Sequence, residues 1–386
     1  MTAVANALIS YLRDDLRVQG TAPLHTPVFR GNERAYLADC LDSTMVSSVG
    51  EYVTRFEAEV ARRSGCAHGI ATMNGTAAIH VMLYVMDIQP GDLVICPALT
   101  FVASVNAILY TGAEPIFLDS DEDTLGLSVQ AVANFLDACE RRDGEAWYEG
   151  RRVKACLPVH IFGHVIDIDA ITILCNAYGV SVLEDAAESL GSSRDGRMAG
   201  SFGRMAAVSF NGNKIVTTGG GGCVVTNDAG LAARLKHLTT TARVRHDWAF
   251  LHDEMGFNYR LPNLNAALGL AQIEQLDVFL SAKRALADRY RDLFQGVSDA
   301  TFVDEPQGVR SNFWLQAIRV SDRKARDETL NTLKAAGVEA RPVWTLMPDL
   351  PYLADCKQFG DLSAARRIED TLVNIPSSPW LMDEAH

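Results

Sequence analysis

The stretch "SFNGNKIVTTGGGG", residues 209–222, decides how the fold of this 386-residue chain is interpreted. It places one lysine, Lys214, between a turn rich in hydroxyl and amide side chains and four consecutive glycines. Ser209 ends an apolar strand pattern, and the glycines permit positive φ or close backbone approach. A GxxxxGK[ST] phosphate loop is absent, because Asn213 precedes the lysine and Ile215 follows it. The stretch therefore predicts a lysine presented just after a buried strand.

Outward from this stretch, short apolar segments alternate with helical patterns of about a dozen residues, beginning near residue 50. Such alternation is typical of an α/β fold with a large, mostly parallel sheet and helical crossovers. The region around "RRDGEAWYEGR" is predicted as a loop. The predicted strands are "HGIATMN", "DLVICP", "EPIFLD", "VKACLPVH", "VSVLED", "MAAVSF" and "GGCVVTN".

Chain length predicts two domains, because 386 residues exceed what one hydrophobic core usually spans. Residues 1–261 are assigned to a large domain with an N-terminal helical segment. Residues 262–386 are assigned to a linking helix and a small α+β domain. The run "PNLNAALGLAQIEQLDVFLSAKRALADRYRDLF" is predicted as one long helix that bridges the two.

Composition and charge restrict the kinds of binding partner and the cellular compartment that are expected for this chain. The net charge of −13 argues against nucleic acid or an anionic membrane as a partner. The N-terminus reads as an amphipathic helix, and no apolar run is long enough to cross a bilayer, so a cytoplasmic protein is expected. No CxxC pair occurs, which predicts reduced thiols and no zinc or redox site. The cysteines stand singly at positions 40, 66, 96, 139, 156, 175, 223 and 356.

Two further signals fall where predicted strands end, the edge at which open parallel sheets bind ligands. In "MNGTAAIH" a strand runs through Gly75 and Thr76 into a helix, which is either an ordinary helix cap or a phosphate cradle. In "VSVLEDAAESLG" a strand ends in Glu184 and Asp185, with Glu188 three residues on. These acidic residues are helix caps, or one of them is a carboxylate that holds a proton on the ring nitrogen of a cofactor.

The lysine supplies the third signal. In a dry pocket a lysine amine can form a Schiff base with an aldehyde. A phosphate cradle, a strand-end aspartate and a lysine after a strand together indicate pyridoxal 5'-phosphate (PLP) far better than any one of them alone. A Rossmann dinucleotide site would need GxGxxG after the first strand, and "NGTAAIH" does not supply it.

The blocks "NGTAAIH", "PVHIFGH", "EDAAESLGS", "SFNGNK", "GFNYRLPNLNAALGLAQIEQL", "RPVWTLM" and "NIPSSPW" closely resemble the DegT/DnrJ/EryC1/StrS family. The resemblance runs from about Gly31 to Trp380. It implies a PLP-dependent sugar aminotransferase of fold type I, like aspartate aminotransferase. Within the family, "SFNGNKIVTTGGGG", "HDEMGFNYRLPNLNAALG" and "RPVWTLM" look most like enzymes that aminate C4 of UDP-4-keto-6-deoxy-N-acetylhexosamines for bacterial surface glycans. The alternatives are a GDP-4-keto-6-deoxyhexose 4-aminotransferase, similar to perosamine synthase, or a non-catalytic regulator that binds PLP or a sugar.

The resemblance also implies a role for each site residue. Lys214 would bond to the cofactor and carry protons, and Asp185 would pair with the pyridinium nitrogen. Glu188 would lie near the phenolic oxygen, where a carboxylate must be protonated or share a proton. L-glutamate would be the amino donor. The other cofactor-binding residues implied are Gly75, Thr76 and Ser209 at the phosphate, Phe101 on the ring, and Asn258.

Asn258, in "GFNYR", would reach the phosphate held by the neighbouring subunit, which implies a homodimer with shared active sites. His160 and His164 could suggest a metal pair, but "PVHIFGH" belongs to the cofactor side of the family, so packing or stacking roles are expected. Family members that act as dehydratases carry histidine at the lysine position, and Lys214 argues against that chemistry. Pro348 departs from the histidine that relatives often carry, which affects the choice of sugar.

Overall fold

The computed structural model describes residues 3–383, and its largest element is a mostly parallel sheet. Across the main sheet the strand order is β1-β7-β6-β5-β4-β2-β3. These strands are β1 (His68–Thr72), β2 (Leu93–Pro97), β3 (Glu114–Leu118), β4 (Arg151–Cys156), β5 (Ser181–Asp185), β6 (Met205–Ser209) and β7 (Gly222–Thr226). This confirms the predicted α/β class.

Among these seven strands only β7 runs against its two neighbours, β1 and β6, and the strands from β6 to β3 pair in parallel. The short strand Lys357–Gln358 extends the β3 edge. A hairpin of Glu140–Arg142 and Glu145–Tyr148 pairs with β4. The prediction of a loop there was wrong, since the two-residue turn at Asp143 and Gly144, both with positive φ, closes an antiparallel pair.

Twelve α-helices are assigned within the described residues. They are α1 (Ala3–Ser10), α2 (Glu33–Asp42), α3 (Glu51–Arg63), α4 (Gly75–Val85), α5 (Val102–Tyr110), α6 (Val129–Asp137), α7 (Ile168–Ala177), α8 (Ala229–Thr239), α9 (Asn263–Ile273), α10 (Leu276–Gln295), α11 (Arg323–Ala335) and α12 (Ser363–Thr371). None of the helices described is long and apolar enough to span a bilayer.

Helices cover both faces of the sheet, which explains why its strands are apolar throughout. Alternate residues of a strand point to opposite faces. Val94 and Cys96 of β2 therefore enter the core shared with α4 and α5, whereas Leu93 and Ile95 enter the core shared with α6 and α7. Since all four are fully buried, the pattern reads as a continuous apolar run.

A smaller antiparallel sheet forms the C-terminal part of the chain, in the order β8-β9-β11-β10. Its strands are β8 (Ala300–Phe302), β9 (Gln316–Val320), β10 (Arg341–Pro342) and β11 (Leu372–Ile375). The N-terminal helix α1, which was predicted to belong to the large domain, packs on this unit: Leu8 of α1 and Leu12 of the helical turn that follows it share a core with Leu286 and Tyr290 of α10.

The segment predicted as one bridging helix is two helices, α9 and α10. Gln275 leaves helical geometry at φ −99° and ψ 1°, and α10 starts after it. Its side-chain amide donates to Glu33 Oε1 at 2.7 Å, and that carboxylate also accepts from Gln272 at 2.6 Å. The break therefore follows from a tertiary contact with α2, which the helical periodicity of residues 262–294 cannot reveal.

The glycine run shapes the start of α4. A Cβ on Gly222 would lie 2.4 Å from the carbonyl oxygen of Asn74, so the two backbones approach as only glycine allows. Asn74 is the N-cap of α4, and its side chain accepts from the Ala77 amide at 2.7 Å. The close backbone approach that the glycines were expected to permit therefore occurs at Gly222, which leaves room for the chain that enters α4.

We predict that Gly222→Ala lowers the free energy of unfolding by roughly 1–3 kcal/mol, the usual cost of overpacking, because Asn74 must move. Gly220→Ala is the matched control, since a Cβ at that position meets no atom within 4 Å. Chemical denaturation of the two cofactor-free variants and the wild type measures the difference. Equal stability of the two variants would contradict the contact.

Candidate active site

One cavity of about 420 Å³ opens at the carboxyl ends of β5 and β6. Its volume lies in the range typical of cofactor and small-molecule sites. Parallel strands bring their carboxyl ends to one edge of the sheet, and the chain that leaves them lines the cavity. Seven of the eight predicted site residues are on its wall: Gly75, Thr76, Phe101, Asp185, Glu188, Ser209 and Lys214.

Lys214 follows β6 in a tight turn. Its backbone N–H donates to the Asn211 carbonyl at 3.0 Å, and the loop closes where Phe210 N–H donates to Gly221 at 2.9 Å. The side chain is 12% exposed, and Nζ lies 3.2 Å from Oε1 of Glu188. The turn thus directs the amine into the cavity.

Asp185 ends β5 and is buried at 4% exposure. Oδ2 accepts from the Ser104 hydroxyl at 2.6 Å, and Oδ1 accepts from the Ala187 amide at 3.1 Å. Burial raises the pKa of this carboxyl, although these hydrogen bonds and the nearby Lys214 oppose the shift. A buried carboxylate here would gain from a protonated ring nitrogen placed against it.

Glu188 lies between Lys214 and the backbone of Phe162. Oε1 pairs with the lysine amine, and Oε2 accepts from the Phe162 amide at 2.9 Å. Burial raises the pKa of Glu188, and the charge of Lys214 partly opposes that rise. Burial therefore favours the protonated form of this carboxyl more than it would for an exposed glutamate.

The start of α4 faces the end of β6 in a cradle suited to an anion. A Cβ on Gly75 would lie 2.9 Å from Cβ of Ser209, so the absent side chain brings the helix start against the serine. The first amides of a helix have no partner within it and carry a partial positive charge. Together with the hydroxyls of Thr76 and Ser209, they fit a phosphate. The residues of the cavity therefore fit PLP: the α4 cradle would hold the phosphate, and Asp185 would face the ring nitrogen.

Glu184, next to Asp185, points to the opposite face of the strand and takes no part in the cavity. It accepts from the backbone amides of residues 200, 202 and 203 and from His160 Nε2 at 2.9 Å. His164 is buried with its ring edge against Phe313, and burial lowers its pKa to about 4. The two histidines therefore lie in separate surroundings, which agrees with the packing roles expected for them.

Two of the eight predicted residues are exposed, Phe101 on the cavity wall and Asn258 outside it. Phe101 caps α5 at the cavity mouth and is 51% exposed, with its ring centroid 6.1 Å from that of Trp344. Asn258 is exposed and does not line the cavity of its own chain. Its neighbour Tyr259 accepts from the Met73 amide at 2.8 Å, so Asn258 lies beside the end of β1.

Sequence reasoning missed two tryptophans of the C-terminal unit, Trp314 and Trp344, which line the cavity. It also missed Ser104, which holds Asp185. Trp314 lies 100 residues beyond Lys214, and no local pattern joins them. The only available signal was "SNFWL", an apolar run that opens with polar residues.

A mixed sheet with a lysine, a strand-end aspartate and an anion cradle around one cavity defines a PLP-dependent transferase of fold type I. The chain belongs to the DegT/DnrJ/EryC1/StrS aminotransferase family, which matches residues 28–386. It is thus a sugar aminotransferase with PLP as cofactor.

Three known proteins illustrate the similarity. The GDP-perosamine synthase of Escherichia coli O157:H7 is 37% identical over 94% of this chain and 94% of that protein. The GDP-perosamine synthase of Caulobacter vibrioides is 36% identical over 92% of this chain and 93% of that protein. The crystal structure of the aminotransferase TlmJ from Streptoalloteichus hindustanus matches with a TM-score of 0.84 at 26% identity, covering 92% and 93% of the two chains.

In the cofactor-free protein, Asp185→Asn is expected to raise the unfolding temperature at neutral pH. The raised pKa of Asp185 means that the folded state holds its proton more tightly than the unfolded state. Wild-type stability therefore falls as pH rises through that pKa, and the variant escapes the loss. Below the ordinary carboxyl pKa of about 4 both states are protonated, so the difference should vanish.

Thermal unfolding from about pH 4 to pH 8 measures this difference. Asp143→Asn, in an exposed turn with φ 51°, is the control and should match the wild type throughout. An Asp185→Asn protein less stable than the wild type at neutral pH would refute the electrostatic argument.

Proposed function

We propose that this chain moves an amino group from L-glutamate to C4 of a nucleotide-linked 4-keto-6-deoxyhexose in the biosynthesis of a bacterial surface glycan. The observation that supports it best is the convergence of Lys214, Asp185 and the α4 cradle on one cavity. Bound PLP supplies an electron-withdrawing ring that stabilises negative charge at the reacting carbon. The chain's own residues must hold that ring and move the protons.

Each residue takes a role that its position supports. The cradle of Gly75, Thr76 and Ser209 binds the phosphate and so fixes the distance of the ring from Lys214. Asp185 keeps the ring nitrogen protonated, because an ionised carboxylate in this dry site favours the adjacent cation. Lys214 carries a proton to and from the substrate carbon.

Glu188 and Phe101 complete the site. Glu188 contacts the amine of Lys214 and lies where it can share a proton with the phenolic oxygen of the ring. Phe101 covers the ring face at the mouth of the cavity, which limits access of water. The position of both residues on the cavity wall supports these roles.

Two acceptor sugars have support. The blocks "SFNGNKIVTTGGGG" and "RPVWTLM" favour a UDP-linked 4-keto-6-deoxy-N-acetylhexosamine. Similarity over nearly the whole chain to GDP-perosamine synthases favours a GDP-linked 4-keto-6-deoxyhexose instead. Amination at C4 is common to both.

A substrate panel tests the proposal. Purified protein with PLP and L-glutamate is offered UDP-linked and GDP-linked 4-keto-6-deoxy sugars, with and without the N-acetyl group, and the products are analysed by mass spectrometry. We expect a 4-amino product from at least one sugar, with 2-oxoglutarate released in equal amount. Lys214→Ala is the matched control and should form no product. No product from any 4-keto sugar would refute the proposal.

We further propose a homodimer in which Asn258 of each chain reaches the phosphate site of the other. Asn258 is exposed and lies outside its own cavity, so a role at a phosphate requires a second chain. The exposed apolar side chains of Trp248, Phe250 and Met255 precede it in the chain and supply surface for such a contact.

Mixing two inactive variants, Lys214→Ala and Asn258→Ala, is expected to restore partial activity. In a heterodimer with shared sites, one site carries both substitutions and the other carries neither. The assay is run at limiting PLP. Under that condition the Asn258→Ala variant alone should be inactive, because it binds the phosphate of PLP more weakly. Heterodimers that form but show no activity would place Asn258 outside the partner's site.

A further inference from the structure

The amine of Lys214 rests on the face of an indole. Nζ lies 3.6 Å from the ring centroid of Trp314, well within the range of a cation–π contact. Trp314 is 4% exposed and the lysine side chain 12%, so the contact is largely shielded from water. Its other neighbour is the carboxyl of Glu188.

Trp314 also holds the backbone that carries the lysine. Its indole N–H donates to the carbonyl of Asn213, the residue before Lys214, at 2.7 Å. One side chain therefore contacts the peptide group that precedes Lys214, through a hydrogen bond to the Asn213 carbonyl, and the Lys214 amine, through the ring face. A flexible four-carbon chain anchored at both ends has few conformations left.

The indole is fixed in turn by the C-terminal unit. The Trp314 amide donates to Asn312 Oδ1 at 2.8 Å, and its carbonyl accepts from Lys283 Nζ at 2.9 Å. Lys283 is fully buried and also donates to the Ser377 carbonyl at 2.7 Å. Asn312 donates to the backbone carbonyl of Glu188 at 2.9 Å. Both partners of the amine are thus held by the segment 312–314.

An indole face and a carboxylate treat an ammonium group differently. The carboxylate of Glu188 can take its proton, whereas the π-face of Trp314 attracts the charge and has no basic site for that proton. A lysine that must keep a proton until the substrate carbon is ready benefits from the second kind of partner. If a carboxylate were the only partner of the amine, the proton could move to that carboxylate instead of to the substrate carbon.

We propose that Trp314 is the positioning residue that receives the amine of Lys214 whenever the amine is not bonded to the cofactor. The inference rests on the proposed function for its place in the reaction. The contact itself depends only on this chain. In each half of the transfer the released amine returns to the same spot between Trp314 and Glu188, ready to act on the substrate carbon.

Nuclear magnetic resonance of protein carrying 13C at the lysine ε-carbons tests this position. A methylene over an indole face is shifted upfield by the ring current, and the Lys214 signal is assigned by its loss in Lys214→Ala. Spectra are recorded for the cofactor-free protein and for protein saturated with pyridoxamine 5'-phosphate, which has no aldehyde and leaves the amine free. We expect the upfield displacement in both.

Three variants separate the contact from general structure. Trp314→Leu should return the Lys214 signal to the range of the other lysines, and Trp314→Phe should keep part of the displacement. Trp344→Leu removes another tryptophan of the same cavity and should leave the signal in place. Thermal unfolding confirms that each variant is folded.

An undisplaced Lys214 signal in the wild type with pyridoxamine 5'-phosphate would overturn the inference. So would the same displacement in wild type and Trp314→Leu. Reduction of the PLP-loaded wild type with borohydride tests the proposed function separately. Cofactor fixed on Lys214 supports that function, and cofactor fixed on another lysine refutes it.

Discussion

The backbone contact between Gly222 and Asn74 determines where the proposed phosphate end of the site lies. It joins the first residue of β7, which runs antiparallel to its neighbours β1 and β6, to the N-cap of α4, at a separation that excludes any side chain on residue 222. The second close approach, of Gly75 to Ser209, then brings the helix start against the end of β6. The anion cradle is thus a product of two glycines that allow a helix and a sheet edge to meet.

From that fixed end, the rest of the site is set by the direction of the strands. The parallel strands β5 and β6 leave Asp185 and Lys214 on the same edge, so a ring whose phosphate bound at the cradle would meet an acid and an amine. Both carboxyls of the cavity have a raised pKa because they are buried. Burial therefore disfavours the ionised form of both carboxyls until a cationic ring binds beside them. Such a cost in stability is common at functional sites.

Much of this fold was predictable, since strands covered on both faces leave continuous apolar runs separated by helices. The predicted site residues were close to strand ends, and parallel strands bring such residues together. The break at Gln275 and the packing of α1 on the C-terminal unit depend on contacts across more than 200 residues of chain. Trp314 and Ser104 were not predicted for the same reason. Each contacts its partner only because the fold brings distant parts of the chain together.

The C-terminal unit is more than a cover for the large sheet, because it supplies the side chains that locate the lysine. Asn312 donates to the Glu188 carbonyl, and Trp314 donates to the Asn213 carbonyl and contacts the Lys214 amine with its ring face. The fully buried Lys283 ties that segment to Ser377, two residues after β11. Burial lowers the pKa of Lys283, yet three backbone carbonyls surround its amine and offset part of the cost of burying it. The hydrogen bonds of Asn312 and Trp314 therefore join the C-terminal unit to the two loops that carry Glu188 and Lys214, so the position of both cavity residues depends on that unit.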